Sequence, residues 1–188
     1  ATIPAFNKER INIGFAGKFI NIKNPNLLLE ASSKSKYKEA INLQFIGDGP
    51  LKESIIDLAG ILNLSINFLG FLNQTEIVEK GYALIDFLVL PSKSETWGLV
   101  INEVMTGGIP AIVSNTVGCH SDLILNNETG FVFKNADSND LSLKIDAMIE
   151  LLYSKNNVSK NVLNHIEKYS LKETVKSYIN AIEKIAKI

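Results

Sequence analysis

The chain has 188 residues, enough to bury about two-thirds of its unfolded surface in one large domain or two small ones. Its 19 basic and 20 acidic side chains nearly cancel, so the overall charge gives no reason to expect nucleic acid as a partner. No apolar run approaches the roughly 20 residues that a bilayer span needs. The single cysteine, Cys119, excludes an internal disulfide and fits a reducing, cytoplasmic compartment.

Short apolar runs alternate with helical patterns up to residue 135, at the spacing of strand and helix units. The predicted strands are Ile11–Ala16, Leu43–Ile46, Ile66–Leu69, Ile85–Leu90, Ala111–Val113 and Phe131–Phe133. The helices between them are predicted near Pro25–Ser35, Leu51–Leu62, Thr75–Tyr82, Leu99–Thr106 and Asp122–Leu125. Six strands joined by right-handed crossovers predict an α/β fold with a doubly wound, Rossmann-like parallel sheet.

From residue 136 the pattern is helical only, which predicts a single domain over 1–188 with a βα core (1–135) and a helical tail (136–188). The tail helices are predicted at Ser138–Tyr153, Ser159–Lys168 and Leu171–Ala186. The last helix carries an apolar stripe formed by Val175, Tyr178, Ile179, Ile182, Ile185 and Ala186. Such a stripe packs against another surface, and the chain's own sheet is one candidate.

The segment from Pro91 to Pro110 places two carboxylates, Glu95 and Glu103, eight positions apart across a loop-to-helix junction. It follows the apolar run Ile85–Leu90, so it begins at the carboxyl end of a predicted parallel strand. Open α/β sheets bind ligands at that edge.

The predicted helix that begins near Gly98 has the features of an anion site. The free amides of Gly98, Leu99 and Val100 point outward with the positive end of the helix dipole, which favours a phosphate or diphosphate. Glu103 follows on the second turn as a carboxylate in an otherwise apolar helix. A buried charge needs hydrogen bonds, and a pair of ribose hydroxyls would satisfy both of its oxygens.

This segment resembles the Glu-x7-Glu signature of the retaining nucleotide-sugar glycosyltransferases that have the GT-B fold. Other elements of that family recur in the same order, over about residues 11 to 133. They are Phe15-Ala16-Gly17-Lys18 followed by Lys23-Asn24-Pro25, then Phe45-Ile46-Gly47-Asp48-Gly49-Pro50-Leu51, then Phe68-Leu69-Gly70. The chain departs from the family at Val117–Asp122, where a Gly-Gly-x-x-Glu loop is usual, and this bears on the choice of sugar.

The resemblance implies that the chain is the carboxyl-terminal, donor-binding half of such an enzyme, without its amino-terminal acceptor domain. The preceding domain is then the second candidate partner for the apolar stripe, if the terminal helix crosses back to it. The implied reaction transfers a sugar from a nucleoside diphosphate sugar to a hydroxyl of a sugar or lipid-linked acceptor, in bacterial surface polysaccharide or glycolipid synthesis. The isolated chain is expected to be inactive, and the missing half to make any contact with the inner face of the plasma membrane.

The resemblance also assigns roles to individual residues. Lys18 and Lys23 would hold the diphosphate, Glu95 would contact the donor sugar, and Glu103 would bind the ribose. The implied catalytic residues are Glu95, Lys18 and Lys23, and the implied donor-binding residues are Gly17, Gly47, Phe71, Leu72, Gly98, Leu99, Val100 and Glu103. Simpler interpretations stay open: solvated surface lysines, a helix cap for Glu95, and core packing for Phe71 and Leu72.

The sequence has no Asp-x-Asp element and no clustered side chains at metal-ligand spacing. We therefore expect lysines and helix amides to handle the phosphate charge, with no metal or other cofactor. Two other classes remain as alternatives: an epimerase-like nucleotide-sugar-binding domain, and a phosphoacceptor receiver with Asp48 as acceptor and Lys93 as its partner. The receiver is disfavoured because receivers need acidic residues where this chain has Gly17 and Lys18.

Overall fold

A computed structural model describes residues 10–154 and 157–186 of the chain. In that range six strands form one sheet, and every pair of neighbouring strands is parallel. The strands are β1 (Ile11–Ala16), β2 (Ile41–Ile46), β3 (Ser65–Gly70), β4 (Phe87–Leu90), β5 (Ala111–Ser114) and β6 (Gly130–Phe133). The helices are α1 (Pro25–Lys34), α2 (Lys52–Leu62), α3 (Gln74–Glu76), α4 (Leu99–Thr106), α5 (His120–Leu123), α6 (Ser138–Tyr153), α7 (Val158–Ile166) and α8 (Leu171–Ala186).

The strand order is β3-β2-β1-β4-β5-β6, so the chain winds outward in one direction from β1 and in the other from β4. This order confirms the predicted doubly wound α/β fold. The reversal lies between β1 and β4, and open sheets of this kind form a ligand crevice where the winding reverses.

Helices cover both faces of the sheet because successive strand residues point to opposite sides. Phe15 and Phe45 belong to the core on one face, with residues of α1, α2 and α6. Leu88 and Val113 belong to the core on the other face, with residues of α4 and α7. Because helices cover both faces, the central strands have near-continuous apolar sequences.

The largest departure from the predicted elements is the segment that leads into β4. The sequence predicts a regular helix over Thr75–Tyr82, but α3 gives way to a π-helical turn at Ile77–Gly81 and then to a 3-10 turn at Tyr82–Leu84. The amide of Ile85 donates to the Tyr82 carbonyl at 3.3 Å and closes the 3-10 turn, so β4 begins at Phe87 instead of Ile85.

Helix α8 does not pack on the sheet of its own chain. The described residues of its apolar stripe, Val175, Tyr178, Ile179, Ile182 and Ile185, are all exposed; the side chain of Ala186 lies outside the described residues. The interpretation that this stripe packs on the chain's own sheet is therefore wrong. Within residues 10–154 and 157–186, no helix combines the length and the apolar character needed to cross a bilayer.

Candidate functional site

A cavity of about 640 Å³ opens where β1 and β2 end, between these strands, the loop after β3, and α4. The structure brings seven of the eleven predicted site residues together in its walls: Gly17, Lys18, Gly47, Phe71, Leu72, Val100 and Glu103. Residues that the sequence did not single out for the site complete the lining: Ala16, Ile46, Asp48, Gly49, Ile77 and Tyr82. The other four predicted residues, Lys23, Glu95, Gly98 and Leu99, lie outside these walls.

Two glycine turns bring the ends of β1 and β2 into close contact. The Gly17 amide donates to the Ile46 carbonyl at 2.9 Å, and the Gly47 amide donates to the Gly70 carbonyl at 2.8 Å. Gly47 has a φ of 130°, and a Cβ at this position would stand 2.1 Å from the Gly17 carbonyl oxygen. A side chain at Gly47 would therefore push the two turns apart and change the shape of the cavity.

Glu103 lies on α4 and faces the cavity, but it is not the buried charge that the sequence suggested. The residue is exposed, whereas Ile101, Val104 and Met105 form the buried side of α4. Its Oε2 atom accepts a hydrogen bond of 2.6 Å from the Tyr82 hydroxyl. Among the residues that the structure describes, Tyr82 is the one hydrogen-bond partner of this carboxylate, which is open to a ligand.

Tyr82 is buried, with 3% of its surface exposed. Burial raises the pKa of its phenol well above the ordinary value, and the hydrogen bond to Glu103 and the charge of that carboxylate raise it further. Both effects disfavour the phenolate. Tyr82 is therefore a lasting hydrogen-bond donor to Glu103.

Lys18 supplies the positive charge in the cavity walls. Its side chain is exposed, and among the residues that the structure describes no carboxylate lies within 4.0 Å of its ammonium group. Asp48 also lines the cavity, and its Oδ1 atom accepts a hydrogen bond of 2.8 Å from the Gly49 amide within the turn. The ammonium of Lys18 is thus available to an anionic ligand.

Glu95 and Lys23 form an ion pair that joins the loop before α4 to the loop after β1. The backbone amide of Lys93 donates to the Ile22 carbonyl at 2.8 Å and ties the same two loops. Glu95 does not cap α4: the N-cap residue is Gly98, and the Glu95 carboxylate pairs with Lys23 instead. The helix-cap interpretation of Glu95 is therefore wrong.

The start of α4 depends on Gly98. This residue has a φ of 98°, and an added Cβ would come within 2.9 Å of Val117 Cγ1. The first turn of α4 contains no acidic residue, so its amide dipoles are not neutralised by a carboxylate of their own turn. Leu99 is 69% exposed and does not line the cavity, whereas Val100 does.

Phe71 is 84% exposed at the rim of the cavity, so core packing does not explain its position. Leu72 is half-buried beside it. An exposed aromatic ring at the edge of a cavity offers a flat apolar surface to a ligand.

Tyr82 is the functional candidate that sequence reasoning missed. The segment before β4 was interpreted as a regular helix, and a change from π-helical to 3-10 geometry leaves no periodic signal in the sequence. The single aromatic residue in the apolar run 81–85 was the only hint, and an aromatic residue at such a place is more often part of the core.

A model of the family described as glycosyl transferases group 1 matches residues 2–165 of the chain. The chain belongs to this family. Among curated relatives, the sulfoquinovosyl transferase SQD2 of Arabidopsis thaliana is 33% identical over 147 residues, which are 77% of this chain and 28% of SQD2. The chain spans half or less of the length of the curated relatives that it matches, from 28% to 50%.

Solved structures of similar proteins agree with this assignment. The catalytic domain of cholesterol-alpha-glucosyltransferase from Helicobacter pylori superposes with a TM-score of 0.76 at 26% identity, over 85% of this chain and 99% of that one. The Anabaena protein Alr3699/HepE in complex with UDP-glucose shares the fold, with a TM-score of 0.77 at 19% identity over 95% of this chain and 49% of its own. These neighbours confirm the predicted GT-B half.

Metal ligands do not cluster in the part of the chain that the structure describes. No group of three or more His, Cys, Asp or Glu side chains comes close enough together to hold a metal ion.

Proposed function

We propose that this chain is the donor-binding half of a retaining glycosyltransferase, which binds a nucleoside diphosphate sugar and passes the sugar to an acceptor hydroxyl. The observation that supports this most directly is the cavity that holds Glu103, Lys18 and Phe71 together at the sheet edge where ligands bind. Family membership and the UDP-glucose bound by the Anabaena protein support a nucleotide-sugar ligand.

The three side chains suit three parts of one ligand. The open carboxylate of Glu103 would accept hydrogen bonds from ribose hydroxyls, and the unpaired ammonium of Lys18 would meet the diphosphate. The exposed ring of Phe71, with Leu72, would pack against the base. As the sugar leaves, the charge on the diphosphate grows, so positive groups placed there stabilise the transition state more than the ground state.

Glu95 and Lys23 would act next to this cavity. In the proposed complex Lys23 contributes a second positive charge to the diphosphate, Glu95 contacts the sugar, and the amides of Gly98, Leu99 and Val100 at the start of α4 add dipole stabilisation. The proposal requires no divalent ion and no other cofactor.

The rest of the enzyme would supply the acceptor site. The curated relatives are longer than this chain, and the name of the Helicobacter pylori enzyme gives cholesterol as the acceptor of that protein. We propose a cytoplasmic enzyme in polysaccharide or glycolipid synthesis, whose preceding domain packs against the exposed stripe of α8 and makes any membrane contact. The chain alone would then bind donor without turnover, and robust transfer by this chain alone would contradict the proposal.

The test is a calorimetric titration of the chain with UDP, GDP and ADP in the presence of EDTA. One nucleotide is expected to bind, and Glu103→Ala is expected to weaken it by about tenfold or more, because charge-assisted hydrogen bonds are worth about 1.5–3 kcal/mol. Glu150→Ala is the matched control, since Glu150 pairs with Lys36 and does not line the cavity. Equal affinity of the Glu103→Ala variant and the wild type would refute the proposed role.

A further inference from the structure

Tyr82 lies at the point where the backbone changes from the π-helical turn Ile77–Gly81 to the 3-10 turn that follows. Its amide is shared between the carbonyls of Ile77 and Val78. π-helical turns are rare and are found mostly at functional sites. The irregular backbone here determines where the Tyr82 side chain points.

The Tyr82 ring is held rigidly. It belongs to the buried core cluster on the α4 face of the sheet, with Ile46, Ile85 and Ile101 among its members. Glu103, by contrast, is an exposed side chain with several rotatable bonds, and such side chains sample many rotamers when nothing holds them. A rigid donor therefore contacts a side chain that would otherwise be mobile.

The hydrogen bond from the Tyr82 hydroxyl to Glu103 Oε2 is 2.6 Å long, the length typical of a phenol that donates to a charged carboxylate. A buried hydroxyl needs such a partner. The bond occupies one position on one carboxylate oxygen. No hydrogen bond to Oε1 comes from residues 10–154 or 157–186, so this oxygen can meet a ligand in the same cavity.

We propose that Tyr82 is a positioning residue of the nucleotide site, which holds the Glu103 carboxylate in the orientation that accepts hydrogen bonds from the two ribose hydroxyls of a nucleoside diphosphate. The inference rests on the proposed function and adds that a coupled tyrosine and glutamate recognise the ribose. Contacts to the diphosphate and the base do not pass through Glu103, so they are independent of Tyr82.

The test compares two ligands on one variant. Calorimetry measures UDP and 2′,3′-dideoxy-UDP, which lacks both ribose hydroxyls, on the wild type and on Tyr82→Phe. We expect Tyr82→Phe to lower the affinity for UDP by about 3- to 10-fold, which corresponds to the free energy of one hydrogen bond. The affinity for dideoxy-UDP is expected to stay unchanged. Tyr82→Phe combined with Glu103→Ala is expected to bind UDP no more weakly than Glu103→Ala alone.

Tyr169→Phe is the matched control. The Tyr169 hydroxyl donates to the Asp122 carbonyl at 2.9 Å and does not line the cavity, so its loss is expected to leave both affinities unchanged. Both ligands are measured on the same Tyr82→Phe protein, so a lower melting temperature of this variant does not affect the comparison between them.

Each outcome separates the two proposals. Equal weakening of UDP and dideoxy-UDP by Tyr82→Phe would mean that the hydroxyl only supports the fold, and would overturn the inference. A loss of UDP affinity in Glu103→Ala without a loss in Tyr82→Phe would also overturn it, while the proposed function stands. If UDP, GDP and ADP all fail to bind the wild type, the proposed function and the role of Tyr82 both fail.

Discussion

Glu95 and Glu103 lie on either side of the start of α4, but their surroundings differ. Glu95 is paired with the ammonium of Lys23, so its charge is largely neutralised within the protein. Glu103 accepts a hydrogen bond from the neutral hydroxyl of Tyr82 and keeps its full charge beside an open cavity. The same residue type can thus be tied into the structure at one position and available to a ligand eight positions later.

The lysines show the same contrast. Lys18 lines the cavity and has no carboxylate partner among the described residues, whereas Lys23 is held by Glu95. We call the Glu103 and Lys18 region the open side and the Glu95 and Lys23 region the paired side. Substitutions on each side test whether this difference governs binding.

The largest effect is expected from Gly47→Ala, which disturbs the backbone under the open side. The new Cβ would meet the Gly17 carbonyl oxygen at 2.1 Å, and a non-glycine residue at such a φ is destabilised by about 1–3 kcal/mol. We expect a lower melting temperature and loss of nucleotide binding, measured by thermal unfolding and calorimetry.

Gly60→Ala is the control for Gly47→Ala. Gly60 lies in α2, and an added Cβ there meets no atom within 4 Å. This variant should be stabilised by about 0.5–1 kcal/mol, because alanine favours a helix over glycine. A Gly47→Ala protein that unfolds and binds like the wild type would show that the two turns can separate freely.

Next in size is Lys18→Ala on the open side. The loss of an unpaired ammonium near a diphosphate should lower the affinity for UDP by about tenfold or more, since hydrogen bonds to charged groups are worth about 1.5–3 kcal/mol. Lys23→Ala should cost less affinity, because its charge already has a partner. Calorimetry at low and high salt measures both, and a greater loss in Lys23→Ala would reverse the proposed contrast.

A smaller effect is expected from Glu95→Gln, which removes the negative partner on the paired side. Both side chains are partly exposed, so the pair is worth at most about 1 kcal/mol. Release of Lys23 should increase the affinity for UDP by up to about fivefold. Loss of the Glu95 contact should reduce the ratio of UDP-glucose affinity to UDP affinity. An unchanged ratio would contradict a sugar contact by Glu95.

The smallest effect concerns Cys119, which is buried next to the start of α4. An added Cβ at Gly98 would lie 3.5 Å from its Sγ atom, and the Cys119 amide donates to the Trp97 carbonyl at 3.0 Å. Burial raises the pKa of the Cys119 thiol to about 12. At pH 8 we expect very slow reaction with a thiol reagent in the native chain and rapid reaction after unfolding.

The raised pKa of Cys119 also makes stability depend on pH. A thiol ionises near pH 8.5 in the unfolded chain, so the stability associated with the protonated thiol is fully present below about pH 8.5. It is lost as pH rises from there toward about 12. Between about pH 8.5 and 9.5, below the range in which tyrosines titrate in the unfolded chain, Cys119→Ala should lack this slope in urea unfolding. The same slope in both proteins would assign it to another group.

Much of the fold was predictable because it depends on local patterns. Strands β2, β4 and β5 are buried throughout and β1 and β6 nearly so, and these strands are apolar runs that stand out in the sequence. The edge strand β3 is only partly buried, and the alternation of all six strands with helices predicts the parallel sheet. The segment 74–84 was not predictable, because π-helical, α-helical and 3-10 turns place apolar residues at similar spacings. For the apolar stripe of α8 the sequence left two packing surfaces open, the chain's own sheet and a preceding domain.

The sequence by itself determined the six strands, the helices outside residues 74–84, the positions of the glycine turns, and the spacing of Glu95 and Glu103, since all of these depend on neighbouring residues. Only the tertiary structure decided which side chains meet. The hydrogen bond between Tyr82 and Glu103 spans 21 residues, and the ion pair between Lys23 and Glu95 spans 72. Contacts between residues so far apart in the sequence depend on the strand order and on the path of each loop, and hydrophobic periodicity carries no information about either.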